Sequence, residues 1–152
     1  MRFFIDLFSN RILIASFFGW LTAQFLKTVI YVLVNKNFNP ERLLGDGGMP
    51  SSHSATVMAL VTSTWFYYGA ASFEFAIAGV LALITMHDAM GVRRETGIQA
   101  KVINNMMEWL QELNGDINVE EKLKEFVGHT PLQVLFGAIL GVVVGLIVCN
   151  VM

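Results

Sequence analysis

The sequence predicts an all-α fold: a polytopic membrane helical bundle with about four spanning helices plus an amphipathic interfacial helical segment. The chain is 55% hydrophobic and 14% charged, whereas soluble domains have about 25% charged residues. Several apolar stretches approach the length of about 20 residues that a helix needs to cross a bilayer. The chain length of 152 residues suits one domain, so we expect residues 1–152 to form a single membrane-embedded domain.

Four apolar stretches are the predicted spans. They are Ile12 to Val34, Ser54 to Ser72, Phe73 to Met86 and Val134 to Met152. The first is interrupted only by Gln24 and Lys27 and is too long for the apolar part of a signal peptide, so we interpret it as a retained membrane segment. The polar, glycine-rich segment 35–50 predicts a loop, and Gly69 to Ser72 predicts a tight turn.

A long polar segment, Gly91 to Gly128, separates the last two spans. Apolar residues recur in it at helical spacing from Ile98 to Leu113, which predicts an amphipathic helix. Asn114 and the following glycine end that helix. A second short helix is predicted from Asn118 to Phe126, with Glu121 as a capping-box partner. We expect both helices to lie at the membrane interface or over the loops, either covering the bundle or gating a substrate.

Several other features narrow the class of protein. The net charge of −2 and the lack of a Lys/Arg-rich run give no support for nucleic-acid binding. Cys149 is the one cysteine and lies in an apolar run, so we expect a buried, inert thiol. Gly137, Gly141 and Gly145 recur every four residues in the last span, a spacing that predicts close helix packing in lipid. The sequence leaves self-association into a homo-oligomer open.

With four spans, the loop before Ser51 and the segment Gly91 to Gly128 lie on the same side of the membrane. Most polar residues and all three histidines belong to this side: Lys36, Arg42, Ser51, Ser52, His53, His87, Asp88, Arg93, Arg94 and His129. The sequence therefore predicts one polar site at this end of the bundle. Since Lys and Arg are more frequent here than on the other side, the positive-inside rule places the site toward the cytoplasm.

The segment Gly47 to Ser54 directly precedes a predicted span. Ser51 or Ser52 suits the N-cap position of a helix, and the free amides of a helix start attract anions. His53 would then lie in the first turn, where it can donate a proton. The alternative interpretation is a capped membrane helix with an incidental histidine at the interface.

The segment Gly128 to Gln133 precedes the last span. Thr130 at the N-cap, Pro131 at the first helical position and Gln133 two residues later match a capping box with proline in its preferred place. His129 would lie just outside the helix, on the same side as His53, where a neutral imidazole can act as a nucleophile. For Gln133, capping alone would be a sufficient explanation.

Basic residues near the third span and within the first are candidates for binding an anion. Asp88 to Arg94 follows the third span, and an arginine there offers a fork of donors to phosphate oxygens. The alternative is the usual enrichment of arginine at membrane boundaries. Lys27 lies inside a span, where an ionisable group is costly and suggests function; snorkelling toward the interface is the alternative.

These motifs resemble those of a known superfamily. Pro50-Ser51-Ser52-His53 resembles the Pro-Ser-Gly-His signature of the type 2 phosphatidic acid phosphatases and vanadium haloperoxidases. His129 with Gln133, then Gly137 and Gly141, is similar to another signature, His-x-x-x-Asp followed by spaced glycines. Together with Asp88-Ala89-Met90-Gly91-Val92-Arg93-Arg94, they most closely resemble the divergent branch of that superfamily, which consists of short membrane proteins related to acid phosphatases.

The resemblance implies a membrane phosphatase that hydrolyses a phosphate monoester through a phosphohistidine and without metal or cofactor, and the substrate we expect is a lipid phosphate. It makes His129 the nucleophile and His53 the general acid. Gln133 stands where the superfamily has the acid that orients the nucleophile, and Asp88 is a candidate to compensate. The phosphate-binding residues that it implies are Arg42, Ser51, Ser52, Arg93 and one of two lysines, Lys27 or Lys36. The alternative is a non-catalytic membrane protein that binds phosphorylated head groups or a protein partner.

Overall fold

The computed structural model describes residues 2–37, 47–113, 122–123 and 127–152, and within these ranges all regular structure is helical. The helices of the described residues are α1 (Arg2–Phe8), α2 (Arg11–Asn35), α3 (Ser52–Tyr68), α4 (Phe73–Met90), α5 (Val92–Leu113) and α6 (Pro131–Val151). The predicted all-α membrane helical bundle is confirmed. Three predicted features lie outside the described residues. They are Arg42, the helix break at Asn114 and the helix from Asn118 to Phe126 with its Glu121 cap, of which only residues 122 and 123 are described.

Among the described residues, three helical stretches are long and apolar enough to cross a membrane. They are α2, the stretch Phe73–Leu113 that comprises α4 and α5, and α6. The remaining predicted span, α3, has 17 residues and is therefore about 25 Å long, somewhat less than the roughly 30 Å of a hydrocarbon core. This helix occupies the centre of the bundle, in contact with α2, α4 and α6. Large apolar side chains on the outer surfaces, such as Phe25, Leu83 and Ile147, are exposed, as expected for surfaces that face lipid.

Small residues allow α6 to approach α3 closely. On α3, Ser54, Ala55, Ala59 and Ser63 are fully buried. A β-carbon on Gly141 would collide with the carbonyl oxygen of Ala55, so only glycine permits this separation. The same argument applies at the other two glycines of the stripe, Gly137 and Gly145, and the predicted packing role of these residues is confirmed. Cys149, on the same helix, is buried as predicted.

The connection between α3 and α4 corrects the predicted span boundaries. The second span was expected to continue to Ser72, but α3 ends at Tyr68 because Gly69 leaves the helical region with φ 79° and ψ 164°. Ser72 instead caps α4 by accepting a hydrogen bond from the backbone N–H of Phe75. At the other end, α4 continues past the expected Met86 to Met90.

The amphipathic helix predicted from Ile98 to Leu113 is confirmed as part of α5, which begins earlier, at Val92. Its buried residues are small or amide-bearing: Gly97, Ala100 and Asn104. The side-chain amide of Asn104 bonds both backbone groups of Leu123, donating to its carbonyl oxygen at 2.9 Å and accepting from its N–H at 3.0 Å. These contacts tie Leu123 to the side of α5 that faces the protein.

Candidate functional site

The N-termini of α3 and α6 lie side by side at one end of the bundle. The backbone N–H of Ser51 donates to the carbonyl oxygen of Gln133 at 3.0 Å, which links the two motifs directly. Ser51 caps α3 by accepting from the N–H of Ser54. Thr130 caps α6, and the predicted capping box with Gln133 is present in full. Local capping chemistry therefore brings the two helix starts to the same place.

His53 and His129 come together at these helix starts. Their ring centroids are 6.2 Å apart, with the ring planes inclined at 60°. His129 is 3% exposed, and its backbone N–H donates to the carbonyl oxygen of Ala89 at 2.9 Å. Two imidazoles at this separation can contact opposite sides of one small anion.

Gln133 determines which nitrogen of His129 carries the proton. The side-chain oxygen Oε1 of Gln133 accepts from the backbone N–H of Thr130 at 3.0 Å, so this end of the amide is the oxygen. The same oxygen lies 3.3 Å from Nδ1 of His129. Because an amide oxygen only accepts hydrogen bonds, this contact favours the neutral tautomer of His129 that has its proton on Nδ1 and its lone pair on Nε2.

Gly128 places His129 against the junction of α4 and α5. Its φ of +88° is one that side chains rarely adopt. A β-carbon here would lie 2.6 Å from Cα of Arg94 and 2.7 Å from the carbonyl carbon of Arg93. Only glycine permits this contact, which holds the start of α5 against the residue that precedes His129.

A pocket of about 250 Å³ opens beside His129. Gly47 and Gly48 form one side, Arg94 and Lys101 of α5 contribute two cations, and Gln133 completes the end near the imidazole; none of the described residues that line it is acidic. Within the part of the chain that the structure describes, neither cation takes part in an ion pair. The described lining of the pocket therefore carries net positive charge and suits an anion.

Comparison with known proteins identifies the family. The model of the Divergent PAP2 family matches residues 8–144. The chain belongs to this family. It is 36% identical over 152 residues, covering 94% of this chain and 96% of the relative, to the uncharacterized membrane protein YuiD of Bacillus subtilis (strain 168). No solved structure matches the chain. Membership of the family and the apolar helices make it an integral membrane protein.

The structure of this divergent PAP2 protein separates Arg93 from the pocket. Nε of Arg93 donates to Oδ2 of Asp88 at 2.9 Å, and both side chains are about two-fifths exposed. Consecutive residues of a helix point about 100° apart, so Arg94 lines the pocket while Arg93 does not. Asp88 and His87 line a different, larger groove.

The remaining predicted phosphate ligands occupy different positions. Lys27 is 4% exposed, and its Cγ is 3.2 Å from the position of a β-carbon on Gly48, so it approaches the Gly47–Gly48 segment from α2. Lys36 is exposed and ends α2, with its own N–H bonded to Val32. Arg42 lies outside the described residues.

The two serines are structural neighbours of the site. Ser51 is fully buried and Ser52 is 5% exposed. The hydroxyl oxygen of Ser51 accepts a hydrogen bond from the Ser54 hydroxyl at 3.1 Å. The carbonyl of Ser52 accepts from the Thr56 hydroxyl at 2.7 Å. Both residues therefore take part in hydrogen bonds that stabilise the first turns of α3.

Sequence reasoning placed Arg94 among the candidate anion-binding arginines after the third span but assigned no role to Lys101. A signal was present, because Arg94, Ile98 and Lys101 have the spacing i, i+4, i+7 that places residues on one face of a helix. All three line the pocket. The sequence alone could not show that this face turns toward His129.

Proposed function

We propose that this divergent PAP2 protein hydrolyses a phosphate monoester through a phosphohistidine on His129. The observation that best supports the proposal is the 6.2 Å separation of the His53 and His129 rings next to a pocket with two cations and, among its described lining residues, no carboxylate. His53 is not part of the pocket lining but lies next to His129, so a nucleophile, a proton donor and anion-binding groups, the components that phosphoryl transfer requires, are close together.

In the proposed first step, Nε2 of His129 attacks phosphorus while the bond from phosphorus to the ester oxygen breaks. His53, in its protonated form, gives a proton to the departing oxygen, so that an alcohol leaves. Arg94 and Lys101 stabilise the negative charge on the equatorial oxygens. Gln133 holds the imidazole in the tautomer that presents the Nε2 lone pair.

In the second step, water attacks the phosphohistidine. His53, now neutral, takes a proton from the water molecule as the phosphorus–nitrogen bond breaks. Inorganic phosphate leaves, and His129 recovers its Nε2 lone pair. The sum of both steps is hydrolysis of the ester, with each group returned to its starting protonation state.

We further propose that the substrate is a lipid phosphate. A groove of about 880 Å³ runs between α4 and α6 and is lined mainly by apolar side chains, including Ile84, Leu135 and Ala138. Pro131, at the start of α6, belongs to this groove and lies next to the motif that holds His129. A groove of this composition suits an acyl chain whose phosphate end reaches the pocket.

A second candidate function is binding of phosphorylated head groups without hydrolysis. The observation in its favour is Gln133, because an amide orients an imidazole but cannot stabilise its positive charge as a carboxylate does. The pocket cations would serve binding equally well. Under this alternative, His129 is a ligand of the head group or only a structural residue.

The decisive experiment is phosphate release by the purified protein in detergent, from a panel of lipid phosphates and soluble phosphate monoesters. We expect turnover of at least one lipid phosphate and its loss in His129→Ala. Glu74→Gln, an exposed change at the opposite end of the bundle, is the matched control and should retain turnover. No turnover by wild type across the panel, or full activity of His129→Ala, would contradict the hydrolytic function.

The same variants separate the two functions. Head-group or vanadate binding without hydrolysis, with an affinity that His129→Ala leaves unchanged, would support the binding function. If wild type binds none of these anions, both functions are excluded.

A further inference from the structure

The two long sides of α5 have opposite character. The residues that contact the protein are Gly97, Ala100 and Asn104, all buried. The large apolar residues lie on the other side of the helix, roughly 180° away at 100° per residue, and are exposed. They are Val102 at 53%, Ile103 at 45%, Met106 at 57%, Trp109 at 62%, Leu110 at 38% and Leu113 at 64%. We call these six residues the outer face of α5.

The described parts of the returning chain lie on a different side of α5 from its outer face. Leu123 is bonded to Asn104 on the buried side, and Lys122 is paired with Glu108 on the adjacent polar side. Gly128 packs on the backbone of Arg94. The described residues that follow α5 and contact it, Lys122, Leu123 and Gly128, are therefore all on its protein-facing and polar sides.

The outer face is continuous with a membrane surface. Val92, which begins α5, is 67% exposed, and Leu83 and Ile84 on α4 are 68% and 62% exposed. Since α4 belongs to a span of an integral membrane protein, its exposed apolar side chains contact lipid. The outer face extends this surface beyond the end of the span, and Trp109 is of the residue type enriched at membrane–water boundaries.

We propose that the outer face of α5 is buried in the lipid interface, with α5 lying along the membrane boundary. An amphipathic helix with a polar side and a large apolar side is suited to this position. In this proposal, lipid covers the outer face, and a second copy of the chain does not. The consequence for the site is that Arg94 and Lys101, on an adjacent side of the same helix, are held at the level of lipid head groups. This inference goes beyond the proposed hydrolysis and does not depend on it.

The test uses a fluorophore on single cysteines in the full chain, in a Cys149→Ser background, reconstituted in phosphatidylcholine vesicles. Met106→Cys reports on the outer face. Asn105→Cys is the matched control, because it is the neighbouring exposed residue and points about 100° away. Brominated lipids quench a label in the acyl region, and aqueous iodide quenches a label in water.

We expect brominated lipid to quench the label at position 106 at least threefold more than the label at position 105, with the opposite order for iodide. Equal or greater iodide quenching at position 106 would overturn the proposal, because the face would then lie in water. A label at position 106 protected from both quenchers would also overturn it. Cysteine crosslinking between copies would then identify a second chain as the occupant, and its absence would identify the returning segment. None of these readouts requires enzymatic activity.

Discussion

The side-chain oxygen of Gln133 contacts Nδ1 of His129 at 3.3 Å while it caps α6 through the N–H of Thr130. One amide thus performs two tasks that sequence reasoning treated as alternatives. The capping bond orients the amide, and the oriented amide selects the tautomer of the imidazole. A local helix-start motif is therefore part of the geometry of the candidate site.

Gln133→Leu should remove both tasks. Loss of the side-chain bond to the N–H of Thr130 should lower the free energy of unfolding by about 1 kcal/mol, and loss of the tautomer contact should reduce phosphate release further than that destabilisation explains. Gln133→Glu keeps the capping box and places a carboxylate beside the imidazole, so it should retain turnover. Unfolding in detergent and phosphate release measure the two effects. Wild-type turnover by the Leu variant would show that the amide does not position His129.

Gly128→Ala should disrupt the site more than the same change at another glycine with positive φ. A side chain at such a backbone conformation costs about 1–3 kcal/mol, and this cost applies to both Gly128 and Gly69. Only at Gly128 would the new β-carbon also collide with the backbone of Arg94, since nothing lies within 4 Å at Gly69. Unfolding in detergent should show a larger decrease in the free energy of unfolding for Gly128→Ala than for Gly69→Ala. Equal decreases in the two variants would mean that the contact of Gly128 with α5 contributes nothing to stability.

Arg94→Gln should weaken anion binding more than Arg93→Gln. A hydrogen bond to a charged group contributes about 1.5–3 kcal/mol, which corresponds to a loss of roughly 10- to 100-fold in affinity. Arg93 is instead paired with Asp88, and exposed pairs contribute about 0–1 kcal/mol. Vanadate affinity of the two variants measures the difference. A greater loss for Arg93→Gln would favour the assignment implied by family resemblance.

Gly141→Ala should destabilise the bundle, because its β-carbon would collide with the carbonyl oxygen of Ala55 across the α3–α6 contact. Gly79→Ala on α4 is the control, with nothing within 4 Å of the new carbon. Alanine is favoured over glycine inside a helix by about 1 kcal/mol, so Gly79→Ala should be neutral or stabilising. Unfolding in detergent should show a lower free energy of unfolding for Gly141→Ala and an unchanged or higher one for Gly79→Ala. The same sign at both positions would contradict the close packing of α6 on α3.

The site should face the cytoplasm if its excess of basic residues follows the positive-inside rule. In a Cys149→Ser background, Asn37→Cys reports on the site end and Ala71→Cys on the other end, both being exposed. A membrane-impermeant maleimide added to intact cells should label position 71 and leave position 37 unlabelled until the membrane is opened. The reverse pattern would place the site outside.

Most of the fold could be predicted because its signals are local. Length and hydropathy of the apolar runs predicted α2, α4 and α6, and α3 ended early only because Gly69 leaves helical geometry. The Thr130 cap and the glycine stripe of α6 were likewise predictable from neighbouring residues. Helix α1 had no such signal, since aromatic and charged residues are mixed over Arg2–Phe8.

The sequence alone determined an all-α membrane protein, its apolar helices and the two helix starts that hold His53 and His129, because burial in lipid and helix capping depend on residues close together in the chain. Only the tertiary structure decided that the two rings lie 6.2 Å apart, and that Arg94 and Lys101 line the pocket while Arg93 pairs with Asp88. The reason is physical: which face of α5 turns toward His129 depends on close contacts, such as that of Gly128 with Arg94, between residues distant in the sequence.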